Sequence, residues 1–134
     1  MIHSQVTSER QSKYCIGIEK ILRKLGHATN SELLIELRNL YPELSATTVH
    51  RASARLAGRG KIAIAPADKD GSVRYDYNLV LHDHFLCTNC SKLMDTDVKD
   101  SILPIMKQAL SGCDIAGRIT ISGVCKVCTK GRKE

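Results

Sequence analysis

His82, His84, Cys87, Cys90 and Asp95 fall within fourteen residues, and each is a side chain that can ligate a metal ion. A second cysteine pair, Cys125 and Cys128, has the same C-x-x-C spacing as Cys87 and Cys90. Each such turn presents two thiolates, and two turns complete the tetrahedral all-sulfur shell that Zn(II) favours in structural sites. His82, His84 and Asp95 are donors of another kind. Nitrogen and carboxylate oxygen suit Fe(II), Mn(II) or Zn(II), and they can leave a coordination position open. The spacing therefore separates a closed, structural centre from an open, responsive one.

Something must position these ligands. A chain of 134 residues makes one average domain or two very small ones. A small C-terminal domain has a thin core, which a structural metal reinforces. Residues 1–9 show no apolar signal-peptide core and no run is long enough to span a membrane, so a cytoplasmic chain with reduced thiols is expected. In that setting six cysteines arranged this way read as metal ligands, not disulfides. A net charge of +6 and a pI near 9.1 permit an acidic partner, nucleic acid first. Low aromatic content and the lack of Trp argue against a base-stacking binder of single strands.

The elements can be read in order. Thr7 or Ser8 can cap a first helix whose apolar face is Cys15, Ile18, Ile21, Leu22 and Leu25, stopped by Gly26. Cys15 reads as a small core residue. Thr29 to Glu32 has capping-box form, and Leu33, Leu34, Leu37 and Leu40 give the second helix its face before Tyr41-Pro42 ends it. Ser45 caps a third helix with Val49, Ala52 and Leu56 inward. Its other side shows His50, Arg51 and Arg55, followed by Arg59 and Lys61. Residues 44–67 contain no Asp or Glu against three Arg and one Lys. Residues 62–66 and 73–77 read as strands around the turn 68–71. Helix, helix, basic helix, hairpin is the order of a winged helix-turn-helix, which points to double-stranded DNA. The candidate contacts are Ser45, Thr47, Thr48, His50, Arg51, Arg55, Arg59 and Lys61.

Residues 78–81 read as a hinge. Beyond them, Phe85-Leu86 and Leu93-Met94 fit strands flanking the first cysteine turn, and residues 97–111 a helix that Pro104 must either start or kink. Ile115, Ile119 and Ile121 fit a last strand before the second turn, and Lys130 to Lys133 a solvated tail. Met94 and Met106 are expected in the core. The fold class is α+β, with a domain at 1–77, a hinge at 78–81 and a small α/β domain at 82–134.

The array His-x-His-x-x-Cys-x-x-Cys-x-x-x-x-Asp, the late Cys-x-x-Cys and the helix segment LSATTVHR at 44–51 resemble the ferric-uptake-regulator (Fur) family, over residues 6–128. The resemblance implies a homodimeric, metal-dependent transcriptional repressor and not an enzyme. Its winged helix would bind operator DNA and its C-terminal domain would dimerise. It implies that Cys87, Cys90, Cys125 and Cys128 hold structural zinc. It also implies a regulatory Fe(II) or Mn(II) site drawn from both domains: His27 at the start of the second helix, Asp76 at the end of the wing, then His82, His84 and Asp95. Metal that binds a closed form better shifts the population towards DNA binding.

Three histidines with two aspartates, where iron-sensing members usually carry glutamate, resemble the peroxide-response branch. There a ligand histidine is oxidised, and the matching candidates are His27 and His82. His50 stands where tyrosine is common, so an operator sequence does not carry over. The strand near Arg118 lacks the preceding histidine on which an additional metal site is built. The alternatives are a reversible iron or manganese sensor (less so zinc, since no Cys lies beside His82 or His84), a metalloenzyme, and a zinc-stabilised interaction module.

Overall fold

The computed structural model of the chain describes residues 2–131, with side chains from residue 13 onward. It forms two compact units, one made of residues up to Ala67 together with Ser72–Leu79, the other of Asp68–Gly71 together with residues from Val80 on. No helix among the described residues is long and apolar enough to cross a membrane.

The first unit opens with α1 (Ile2–Leu25), which buries Cys15, Ile18 and Leu22 and leaves Leu25 exposed. It begins before Val6, so neither Thr7 nor Ser8 is its N-cap; their side chains lie outside the described residues. Gly26 ends it at φ +84°, where an L side chain is strained, and its N–H bonds the Leu22 carbonyl. Gly17 serves a different purpose. A Cβ there would stand 2.7 Å from Leu37 Cδ2, so glycine lets α1 close on α2 (Asn30–Leu37).

Thr29 caps α2 through a full capping box with Glu32. Leu33 and Leu37 face inward, but Leu40 lies in the turn after the helix and is exposed, so the expected four-leucine face stops one turn early. Ser45 caps α3 (Ala46–Gly58) by accepting the Thr48 N–H, and Val49, Ala52, Ser53 and Leu56 are buried. The wing strands are β2 (Ala63–Ala65) and β3 (Arg74–Asp76), antiparallel as expected. A third strand, β1 (His27–Thr29), was not expected. It pairs with the other edge of β3, giving the order β1-β3-β2. Three residues carry no period of their own, so β1 exists only because β3 offers it a ladder.

In the second unit β4 (Asp83–Cys87) is central, antiparallel to β5 (Leu93–Thr96) and parallel to β6 (Thr120–Gly123). A parallel pair needs a long crossover, and α4 (Val98–Ala109) supplies it. Pro104 sits inside α4, past its first turn, and the helix continues to Ala109. The last strand is shorter than the apolar spacing implied. The Lys99 ammonium bonds the carbonyls of Ile115 and Gly117, which ties that stretch to α4 and delays β6 to Thr120. Met94, expected in the core, is 44% exposed because it lies on the edge strand β5; Met106 is half-buried. A short helix, α5 (Lys126–Gly131), follows the second cysteine turn.

Candidate metal centres and nucleic-acid face

Cys87 ends β4, Cys90 lies in the turn before β5, and Cys125 and Cys128 come from the entry and first turns of α5. Their sulfurs all lie within 4.8 Å of one another. A tetrahedral Zn(II) with bonds of about 2.3 Å needs sulfurs roughly 3.8 Å apart. Cys90 Sγ and Cys125 Sγ are 3.9 Å apart, far beyond a disulfide bond, and all four are free thiols. The backbone prepares them for a cation. The N–H groups of Cys90 and Cys125 donate to Cys87 Sγ at 3.4 and 3.3 Å. These bonds lower the Cys87 thiol from 9.0 to about 6 despite its burial. The Asn89 side chain draws Cys128 down, but hydrogen bonding with Cys125 and burial outweigh it and raise that thiol to about 11. Four crowded sulfurs cannot all ionise alone; a cation in their midst replaces the protons. The donor set suits structural zinc.

The histidines and aspartates sit on strand pairs. In the first unit the register sets His27 of β1 opposite Asp76 of β3, with Nε2 3.3 Å from Oδ2. Asp76 is buried, and its other oxygen accepts the Asn78 N–H at 2.8 Å. His27 therefore lies on a strand, not at the start of α2 where it was expected. Its place at a strand end was invisible because β1 was.

In the second unit His84 of β4 is paired with Asp95 of β5, and His82, two residues earlier, lies on the same side. His82 Nε2 is 3.2 Å and His84 Nε2 3.5 Å from the same oxygen, Asp95 Oδ1, and the ring centroids are 4.3 Å apart. His82 Nδ1 lies 2.6 Å from the Val80 carbonyl oxygen. A carbonyl only accepts, so Nδ1 carries the hydrogen and Nε2 of the neutral ring aims a lone pair at the carboxylate. Lone pair facing lone pair needs a positive centre between them, a proton or a metal ion. Histidine nitrogen with carboxylate oxygen and no thiolate suits Fe(II) or Mn(II).

Sequence reading passed over Asp83 and Lys99 as working parts. Asp83 is fully buried. Its Oδ2 accepts the Lys99 N–H at 2.8 Å and its Oδ1 the Ile119 N–H at 3.0 Å, with Arg118 Nε 3.9 Å away. Burial pushes its carboxyl up, but those N–H donors and Arg118 outweigh it and hold the value below 3.8. Asp83 thus clamps β4, α4 and the residue before β6, and so holds the strand that carries His84 and follows directly on His82. The available signal was the alternation His-Asp-His, which turns the middle carboxylate towards the opposite side.

Of the candidate DNA contacts, Ser45, Thr47, His50, Arg51, Arg55, Arg59 and Lys61 are exposed. Thr48 is half-buried, with its hydroxyl 2.9 Å from Ser45 Oγ in the helix cap.

Residues 5–115 match the model of the ferric uptake regulator family. The chain belongs to that family. Among Fur-family relatives, the peroxide operon regulator of Bacillus subtilis is 24% identical over 115 residues, covering 84% of this chain and 79% of its own length. The peroxide stress regulator of Campylobacter jejuni superposes with a TM-score of 0.70 at 22% identity, covering 96% of this chain and 98% of its own. The Fur protein of Helicobacter pylori gives 0.71 at 19% identity, with 96% and 94% covered. The fold is that of Fur regulators, a winged helix-turn-helix domain followed by a dimerisation domain. Members of this family are dimeric DNA-binding transcription regulators.

Proposed function

We propose that this chain is a homodimeric Fur-type repressor whose regulatory metal takes His27 and Asp76 from one unit and His82, His84 and Asp95 from the other, and that it responds to peroxide. The observation that carries the reading is that each unit has its own histidine and aspartate facing each other on paired strands, with no thiolate among them. One half-site alone is a poor metal site. Joined, they give three nitrogens and two carboxylates, a set that can leave a position open. With Fe(II) held there, hydrogen peroxide would be reduced to water by two electrons drawn from a ligand histidine, which would keep one peroxide oxygen; Mn(II) would not mediate this transfer. His27 and His82 are the candidates for oxidation, and losing either donor would loosen the closed form and release DNA. The similarity to peroxide regulators of B. subtilis and Staphylococcus aureus supports this branch.

Dimerisation has support in the second unit, where Met94, Ile105, Leu110 and Val127 are exposed in the single chain. A second copy would cover such apolar residues. The metalloenzyme reading needs a base beyond the ligands. Asp83, the carboxylate next to both histidines, is buried and already holds two N–H groups. In a reversible metal sensor the same ligands would bind and release the ion unchanged.

Peptide mass spectrometry separates these two readings. The protein is loaded anaerobically with Fe(II), treated with stoichiometric peroxide, and compared with a Mn(II) control, with DNA binding followed in parallel. One added oxygen on the peptides containing His27 or His82, only with iron and with loss of DNA binding, is the expected result. Unmodified histidines would return the protein to reversible metal sensing.

A further inference from the structure

Asn30, His50 and Ser53 form a hydrogen-bonded chain that no metal ligand takes part in. Ser53 is fully buried on α3, and its hydroxyl reaches Asn30 Oδ1 at 2.7 Å. The His50 carbonyl on its own helix lies farther away, at 3.1 Å. A hydroxyl has one proton, and the shorter contact takes it. Asn30 Oδ1 is therefore the acceptor, which turns the amide nitrogen the other way. That nitrogen, Nδ2, stands 3.0 Å from His50 Nδ1. An amide nitrogen only donates, so His50 Nδ1 accepts and the hydrogen of the neutral ring sits on Nε2. The ring is exposed and borders an open cleft of about 690 Å³ that Asn30, Thr47, Arg51 and Ser72 also line.

From this polarity we infer that His50 reads a guanine in the operator, donating from Nε2, and that Asn30 is the positioning residue that keeps it a donor. The inference rests on α3 being the recognition helix. In the major groove guanine shows two neighbouring acceptors, N7 and O6, and no donor; adenine sets an N6 donor beside its N7, and cytosine offers only a donor. A histidine locked as a donor matches guanine and meets donor against donor at cytosine. Asn30 itself touches no base. A free ring could exchange tautomers and accept equally well, so removing Asn30 relaxes the choice of base without removing the side chain that makes it.

The test uses the full chain loaded with zinc and Mn(II). Duplexes enriched from a random library define its site, and each guanine is then replaced by 7-deazaguanine, which lacks the N7 acceptor. At one position per half-site the wild type should lose roughly 5–10-fold in affinity, the worth of one hydrogen bond. His50→Ala should bind both duplexes equally. Asn30→Leu, with Asn30→Ala as the milder variant, should lower the guanine preference at that position alone. The slope of affinity against salt should stay unchanged, because no phosphate contact is lost. A purely structural role for Asn30 would instead weaken all sequences alike, and would overturn its part in the inference. Finding no guanine whose N7 matters to the wild type but not to His50→Ala overturns the whole. So does a His50-dependent preference for cytosine, since Nε2 would then be accepting. If the wild type enriches no sequence, it is the DNA-binding reading of α3 that fails, and this inference falls with it.

Discussion

At the scale of single residues, two side chains hold what the ligands need. Cys87 gathers two backbone N–H groups and is drawn to about 6, which favours the thiolate form a metal requires. Its folded value lies below the ordinary 9.0, so its contribution to stability is full above pH 9 and is lost as pH falls through about 6. Asp83 was legible only by exclusion: the alternation turned it away from His82 and His84, but nothing in the sequence announced the N–H groups of Lys99 and Ile119 that wait for it. Asp83→Ala should cost about 2–3 kcal/mol in denaturant unfolding, since it leaves buried N–H groups unpaired. It should also weaken Mn(II) binding, because β4 carries His84 and begins directly after His82.

Among the elements, α3 was the most legible. Its Ser45 cap, its inward Val49, Ala52 and Leu56 and its acid-free outer side all follow from local rules, and the structure has each of them. Ser45→Ala should lower stability by about 1 kcal/mol in a thermal melt, the ordinary cost of an N-cap. Arg51→Ala and Arg55→Ala test its outer side. Each should weaken operator binding, and a variant that loses only a phosphate contact should reduce the slope against salt by about one. Unchanged affinity in both would remove α3 from the interface. β1 is the opposite case. Its three residues have neither a period nor a strand composition, and they become a strand only through pairing with β3. The Lys99 ammonium shortened β6 in a similar way, by engaging carbonyls that apolar spacing had assigned to the ladder.

For the molecule as a whole, the two metal centres should fail differently. Cys125→Ser removes one of four thiolates from a small unit whose exposed Met94, Ile105 and Val127 show how thin its core is. Zinc and the dimer should be lost together, seen as a fall in scattering mass from twice 14.8 kDa to the single chain, because in such domains metal affinity is folding energy. A zinc-free variant that stays a folded dimer would contradict this. His27→Ala should keep zinc and the dimer but lower Mn(II) affinity by about 10-fold or more, the usual scale for losing a ligand or its support. Unaltered Mn(II) binding would mean that His82, His84 and Asp95 suffice.

The sequence by itself determined the donor chemistry, since sulfur, nitrogen and oxygen ligands and their short spacings are written in residue types. It also determined the helices, because caps and apolar periods act within a few residues. The tertiary structure alone decided which side chains meet. His27 lies forty-nine positions from Asp76, and only the β1–β3 register sets them face to face. Asp83 reaches Lys99 and Ile119 only after α4 has crossed between β5 and β6. Asn30 reaches His50 only because α2 packs on α3. Local signals fall silent at that range because strand pairing and long-range hydrogen bonds draw their stability from partners distant in the chain, and a partner leaves no trace in the residues that await it.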